Sequence, residues 1–293
     1  MQQFLTLTIN GVVQGTIFAA FALALVLIWR STRIVNFAQA PMAMLTTYLA
    51  LTVLDAGLPW WLAFVSALLG GLVLGALTER LIVRFVEDKE EINAVILTLG
   101  LFIAFTALAA VLFGSDYRSF PTGPFGVSGF RAGGVIIALT QFQMFTIVSV
   151  LVVLGALVAL FRFTDIGLRM RAAAFSQEVS RLLGVRVGAM LTLGWALAAL
   201  VGSLAGILIA GGDLVYPHYM DGVVVFGFVA AVLGGLDSPL GAVVGGMILG
   251  LSLNYVGGFL NDSYLALTAL LILIAVLMLK PGGLFSTATA RRV

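Results

Sequence analysis

Few residues in this chain can do chemistry, and their spacing excludes most reactions. There is no cysteine and a single histidine, His218, which rules out thiolate and histidine-based metal sites. Ser203 stands in Gly202-Ser203-Leu204-Ala205-Gly206. That is not the spacing of a nucleophile elbow, no histidine is near, and the segment reads as the small-residue face of a helix. No two carboxylates share an apolar stretch and none is expected at the centre of one, so aspartyl catalysis and ion coupling within a membrane have nothing to use. The only lysines, Lys89 and Lys280, belong to no Gly-rich phosphate loop. No catalytic residue, metal ligand or cofactor is expected in this chain, and any ATP must be bound by another one.

The remaining polar chemistry is neutral. Asn10 and Gln14, Asn36 and Gln39, Asn93 and Thr98, and Ser252 and Asn254 lie in otherwise apolar stretches. Such groups serve as hydrogen-bonding glue between helices or as contacts for a polar solute. Asn36 and Gln39 stand beside Pro41, which is read as breaking its stretch into an irregular start and a helix from Met42 onward. Irregular backbone at membrane depth is tolerated only against protein or a wet cavity. Asn36 and Gln39 are therefore the leading candidates for lining a solute path, with Gln14 and Asn93 as the others.

The elements that must position these residues are transmembrane helices. The 293-residue chain is 61% hydrophobic and 10% charged, against about 25% charged in soluble domains, and its mean hydropathy is +1.16. A helix needs about 20 residues to cross a bilayer. Charge-free stretches predict helices at about 10–29, 36–54, 60–82, 92–113, 141–161, 187–210, 221–235, 239–258 and 263–279. No Lys or Arg precedes the first stretch, so it is read as a retained helix rather than a signal peptide. The fold class is an all-α polytopic membrane bundle of about nine segments, forming one domain over 1–293. Glycines four apart, such as Gly11/Gly15, Gly202/Gly206 and Gly246/Gly250, open helix faces to close approach.

Charge sets the orientation. With the N-terminus outside, the inner loops collect Arg30 and Arg33, then Arg80, Arg84 and Lys89, then Arg162, Arg169, Arg171, Arg181 and Arg186, and finally Lys280, Arg291 and Arg292. Of the chain's basic residues only Arg118 and Arg131 fall outside. This split predicts an N-out, C-in topology. The inner segment at about 162–186 is also patterned for structure. Ala172 to Ala174 favour helix, Ser176 can cap a second short helix, Glu178 suits its positive end, and Gly184 can stop it. Two short helices carrying Arg169, Arg171 and Arg181, with an exposed apolar edge of Met170, Phe175, Leu182 and Leu183, point to a protein contact.

Three segments together resemble a known family. They are Arg33-Ile34-Val35-Asn36-Phe37-Ala38-Gln39 with the later Tyr48-Leu49-Ala50, then Thr164-Asp165-Ile166-Gly167-Leu168-Arg169-Met170-Arg171-Ala172 continuing to Arg181-Leu182-Leu183-Gly184-Val185, and Leu233-Gly234-Gly235-Leu236-Asp237-Ser238-Pro239-Leu240-Gly241-Ala242 with the terminal Lys280-Pro281-Gly282-Gly283-Leu284-Phe285. In this order they are similar to the permease subunit of bacterial branched-chain amino acid ABC importers of the leucine-isoleucine-valine type. The resemblance implies a multi-pass permease in the bacterial cytoplasmic (inner) membrane. It would pair with a second permease, identical or similar, bind two cytoplasmic ATPase subunits, and receive substrate from an external solute-binding protein. Lipid is the remaining partner, and no nucleic acid is expected. ATP would be bound by the ATPase subunits, and the segment containing Arg169, Arg171, Ala172, Glu178 and Arg181 would couple them to the helices. At Gln39-Ala40-Pro41 the chain departs from the family's usual Gly or His-Gly-Glu-like sequence, and the same family serves urea and short amides. A secondary transporter is the rival reading, but would call for buried ionisable residues or an inverted repeat.

Overall fold

The structure is a computed structural model that describes residues 2–86, 90–126, 129–132, 135–137 and 139–285. Lys89, Arg291 and Arg292 of the charge pattern lie outside the described residues, and the side chain of Arg131 is likewise not described.

Among the described residues the chain forms eleven α-helices. They are α1 (Gln2–Thr32), α2 (Gln39–Asp55), α3 (Trp60–Leu81), α4 (Glu91–Phe113), α5 (Gln141–Phe163), α6 (Asp165–Phe175), α7 (Gln177–Leu182), α8 (Val187–Ala210), α9 (Asp221–Gly234), α10 (Pro239–Phe259) and α11 (Leu265–Leu279). A helix stands at each apolar stretch read from the sequence. Seven are long and apolar enough to cross a membrane by length and composition, α11 when taken together with the 3-10 turn Asp262–Tyr264 that leads into it. The exceptions are α2, with 17 residues, and α9, with 14. At 1.5 Å per residue α9 spans about 21 Å, short of a hydrocarbon core of about 30 Å.

Two boundaries differ from expectation for clear reasons. α1 begins at Gln2, well before residue 10, and its first turns are held against α10: Phe4 stacks on Tyr255 at 5.4 Å between ring centres, Gln3 donates to the Gly258 carbonyl, and the Thr8 hydroxyl bonds that of Tyr255. α2 begins at Gln39 rather than Met42, with Pro41 inside its first turn. Proline is tolerated there because first-turn N–H groups have no intrahelical acceptor.

α1 is the central helix. From Gly15 to Ile28 every residue is buried. Its most extensive partner is antiparallel α10, and α3 with α8 forms the next largest interface. Lipid is as apolar as leucine, so hydrophobicity alone does not hold such helices together and close packing must. A side chain at Gly250 would collide with the backbone of Gly15, and one at Gly246 with that of Ala19. α4, α5 and α11 turn large apolar residues such as Ile103, Val111, Val152, Leu270 and Met278 outward, the surface a bilayer requires.

Short antiparallel ribbons complete one end of the bundle. β1 (Arg118–Ser119) pairs with β4 (Leu214–Val215), and β2 (Phe130–Ala132) with β3 (Val135–Ile137). Arg118 also pairs with Asp55 at the end of α2.

Candidate solute path and coupling surface

Between α1 and α2 the backbone is irregular. Arg33 ends α1 with a φ of +59°, in the left-handed region that non-glycine residues rarely adopt. The freed backbone groups find partners. The buried Thr98 hydroxyl of α4 lies 3.2 Å from the Val35 carbonyl, and the Gln39 amide donates to the Asn36 carbonyl at 3.3 Å. Non-helical backbone thus persists here by being held against protein.

This segment sets the first pair of candidate residues side by side. Asn36 and Gln39 are both fully buried. The Asn36 side-chain nitrogen donates to Gln39 Oε1 at 3.0 Å, and Gln39 Nε2 donates to the Ala198 carbonyl of α8 at 3.0 Å. Asn36 Oδ1 has no hydrogen-bond partner among the described residues. The Gln39 amide fits only because position 202 is glycine, since a Cβ there would overlap Gln39 Nε2.

From Gln39 a polar seam runs along the α2–α8 interface. Thr46 Oγ1 lies 2.8 Å from Ser203 Oγ. Further along, Tyr219 donates its hydroxyl to Thr47 Oγ1 at 2.8 Å. At the other end of α8, the buried Glu79 carboxylate accepts from the Arg84 guanidinium at 3.0 Å and from the Thr192 hydroxyl, and Arg84 also donates to the Gly188 carbonyl. Buried amides, hydroxyls and one ion pair therefore follow α8 through an otherwise apolar bundle.

The other two candidates lie elsewhere. Gln14 is exposed and accepts from Asn254 Nδ2 of α10, while its neighbour Asn10 accepts from Gln143 of α5 at 3.1 Å. Both are links between helices. Asn93 is exposed in the first turn of α4. Sequence reading missed Glu79, Thr46, Thr47 and Tyr219. Glu79 sits within the predicted 60–82 helix with an arginine five residues on, which is a readable signal for a paired charge. Nothing local distinguishes the two threonines from ordinary helix hydroxyls.

The segment at 162–186 folds as two short helices. Thr164 caps α6 by accepting from the Gly167 amide, and Ser176 caps α7 by accepting from the Val179 amide. Gly184 follows with a φ of +79°. Arg169, Arg171, Glu178 and Arg181 are exposed, and Ala172 is half-buried. Phe175, Leu182 and Leu183 are 94%, 88% and 76% exposed. Met170 does not belong to that edge. It is buried, its methyl group lies beside Gly194 of α8, and Ser31 of α1 flanks the same glycine. Because α6 returns along the bundle end, one turn of its face packs inward.

The bundle thus holds a polar seam between α2 and α8 and, at one end, a basic surface with an exposed apolar edge. Comparison with known proteins shows the family. Residues 7–279 match the family model described as branched-chain amino acid transport system / permease component. The high-affinity branched-chain amino acid transport system permease protein LivH of Escherichia coli K12 is 27% identical, over 99% of this chain and 98% of that protein. The corresponding BraD protein of Pseudomonas aeruginosa is 25% identical over 99% and 98%. Among solved structures, PsaBC from Streptococcus pneumoniae in complex with Fab shares the fold, with a TM-score of 0.51 at 16% identity, over 92% of this chain and 89% of that one. The chain is a multi-pass membrane protein and belongs to the family of permease components of branched-chain amino acid transport systems.

Proposed function

We propose that this chain is the transmembrane permease subunit of an ATP-driven importer that moves branched-chain amino acids inward across the bacterial cytoplasmic membrane. The match to the permease family over nearly the whole chain carries this reading. The chain acts as a single domain of nine crossings, N-out and C-in. α9 counts as a crossing because it starts where Tyr219 bonds the Gly206 carbonyl near the end of α8 and finishes at the turn where Asp237 meets Arg33. Those two points lie at opposite ends of α1 and α8.

Asn36 and Gln39 line the solute path. Both lie where α2 meets α8, and α8 begins directly after the α6–α7 segment. In this scheme two cytoplasmic ATPase subunits bind ATP and press on Arg169, Arg171, Glu178, Arg181 and the neighbouring apolar edge. Met170 passes the displacement to α1 and α8, which shifts the balance between outward- and inward-open states. A second permease subunit completes the path, and an external solute-binding protein delivers substrate. This chain itself holds no cofactor.

The test is transport by the assembled complex in proteoliposomes. ATP-dependent accumulation of leucine, isoleucine and valine that requires this chain is expected. Accumulation of urea or acetamide in place of these amino acids, or uptake without ATP, would refute the reading.

A further inference from the structure

α1 runs through the centre of the bundle, and from Gly11 to Ile28 Gln14 is its one exposed residue. The window onto the central helix is thus filled by an amide. Trp29 and Arg30 mark the inner end of this span, as tryptophan and basic side chains do at membrane interfaces. At a rise of 1.5 Å per residue Gln14 lies about 22 Å from Trp29, inside a hydrocarbon core of about 30 Å. The window opens where α1 is bonded to two neighbours. Asn254 of α10 donates its Nδ2 to Gln14 Oε1 and to the Gly250 carbonyl, and Asn10, one turn from Gln14, accepts from Gln143 of α5. The bonds of the Gln14–Asn254 pair use one end of each amide. Gln14 Nε2, a donor, and Asn254 Oδ1, an acceptor, have no hydrogen-bond partner among the described residues.

Lipid tails offer nothing to either group, and a polar group left bare in hydrocarbon is costly. The outward surfaces of α4 and α11 show the contrast, for Ile103, Val111, Leu270 and Met278 suit lipid. Water serves such amides only in a channel, and a channel along this face needs an opposite wall made of protein. We propose that the face carrying Asn10, Gln14 and Asn254 is where the second permease subunit packs, through a helix that offers amide or hydroxyl groups to Gln14 Nε2 and Asn254 Oδ1. The inference rests on the importer function proposed above and adds the face on which its two permeases meet. An amide or hydroxyl group carries both a donor and an acceptor, so one such helix can complete both open groups, and side-chain bonds of this kind join transmembrane helices.

The experiment uses the absence of cysteine in this chain. Gln14→Cys carrying a benzophenone maleimide is irradiated in the assembled complex in proteoliposomes, with cysteines removed from the other subunits, and the linked peptides are identified by mass spectrometry. Peptides of the second permease subunit, whether a copy of this chain or a similar one, are expected at a yield severalfold above that from Ile103→Cys on α4. Asn254→Cys should give the same adduct, and decides alone if Gln14→Cys fails to assemble. Adducts to phospholipid alone, or yields no higher than that from Ile103→Cys, overturn the proposal. So does labelling of Gln14→Cys by a small hydrophilic maleimide with no protein adduct, which would mean a wet surface with no subunit against it. A wild-type complex that purifies without any second permease refutes the importer assembly itself, and is read before the variants.

Discussion

The Arg33 guanidinium lies 2.5 Å from the Asp237 carboxylate, tying the end of α1 to the turn between α9 and α10. The same turn receives the chain after α11, where the amides of Leu284 and Phe285 donate to the carbonyls of Leu233 and Gly234 at 2.9 and 3.0 Å. One helical turn back along α1, Arg30 is within electrostatic reach of Asp237 and of Arg171 on α6. The three segments that carry the family resemblance, distant in sequence, therefore meet at one end of the bundle.

Because both partners of the Arg33–Asp237 pair are about half exposed, the pair contributes less than about 1 kcal/mol to stability. Its value is positional, since Arg33 directly precedes the irregular stretch that presents Asn36. Asp237→Asn should lower uptake severalfold while leaving the thermal midpoint of the purified complex nearly unchanged. The exchange Arg33→Asp with Asp237→Arg should recover part of the loss, as aspartate tolerates a positive φ better than most residues. Normal uptake in the Asp237→Asn complex would show that the pair is incidental.

The Glu79–Arg84 pair is different, because Glu79 is fully buried. Removing the arginine leaves an uncompensated carboxylate with the Thr192 hydroxyl as its remaining partner, a loss of about 3–5 kcal/mol. Arg84→Leu should sharply lower the thermal midpoint in detergent. Glu79→Leu with Arg84→Leu should be less damaging than Arg84→Leu alone, since no buried charge is then left unpaired. The opposite order would mean that Arg84 acts through its bond to the Gly188 carbonyl rather than through Glu79.

Glycine at position 202 makes room for the Gln39 amide. Gly202→Ala should displace Gln39, break its bond to the Ala198 carbonyl and cost about 1–3 kcal/mol as overpacking. Gln39→Leu removes the amide and should abolish uptake with the complex still assembled. If Gly202→Ala leaves uptake and stability at the wild-type level, the contact between α2 and α8 is looser than the geometry indicates.

Much of this architecture was legible beforehand, for reasons that particular residues explain. Helix positions follow from charge-free length, and the 162–186 helices from local capping by Ser176 and the Gly184 stop, which depend on near neighbours only. An irregular stretch near Asn36 and Gln39 was readable, but its cause was not: Pro41 lies inside the first turn of α2, and the break is the 33–38 connection. Gln14 and Asn93 belong to the same chemical class but face outward, since a helix's rotation is set by tertiary packing that no local pattern encodes. Met170 misled for the same reason. The Thr46–Ser203 and Tyr219–Thr47 contacts join residues more than 150 positions apart and leave no trace in spacing.

Orientation is open to direct labelling because the chain has no cysteine. Ser176→Cys, between α6 and α7, and the exposed Ser263→Cys, between α10 and α11, should report opposite faces. In intact cells an impermeant maleimide should modify Ser263→Cys and spare Ser176→Cys until the membrane is opened. The reverse pattern would invert the N-out arrangement, and modification of both from outside would remove an odd number of crossings between them.

The coupling role of α6 and α7 is best tested where substitution cannot disturb the bundle. Replacing Arg169 to Ala172 as a block would remove Met170 from its seat beside Gly194 and so confound coupling with packing. Phe175, Leu182 and Leu183 are almost fully exposed, and surface changes away from packed groups shift stability by no more than about 0.5 kcal/mol. Their joint replacement by serine should leave the permease folded and in the membrane, yet lose copurification of the ATPase and abolish uptake. Arg169→Glu and Arg171→Glu separate the two basic residues, which stand about 200° apart on a helix and cannot share one contact face. Only one of the two should release the ATPase, and the other should leave it bound. Retention of the ATPase with normal uptake in the serine variant would reduce the segment to a loop that sets topology.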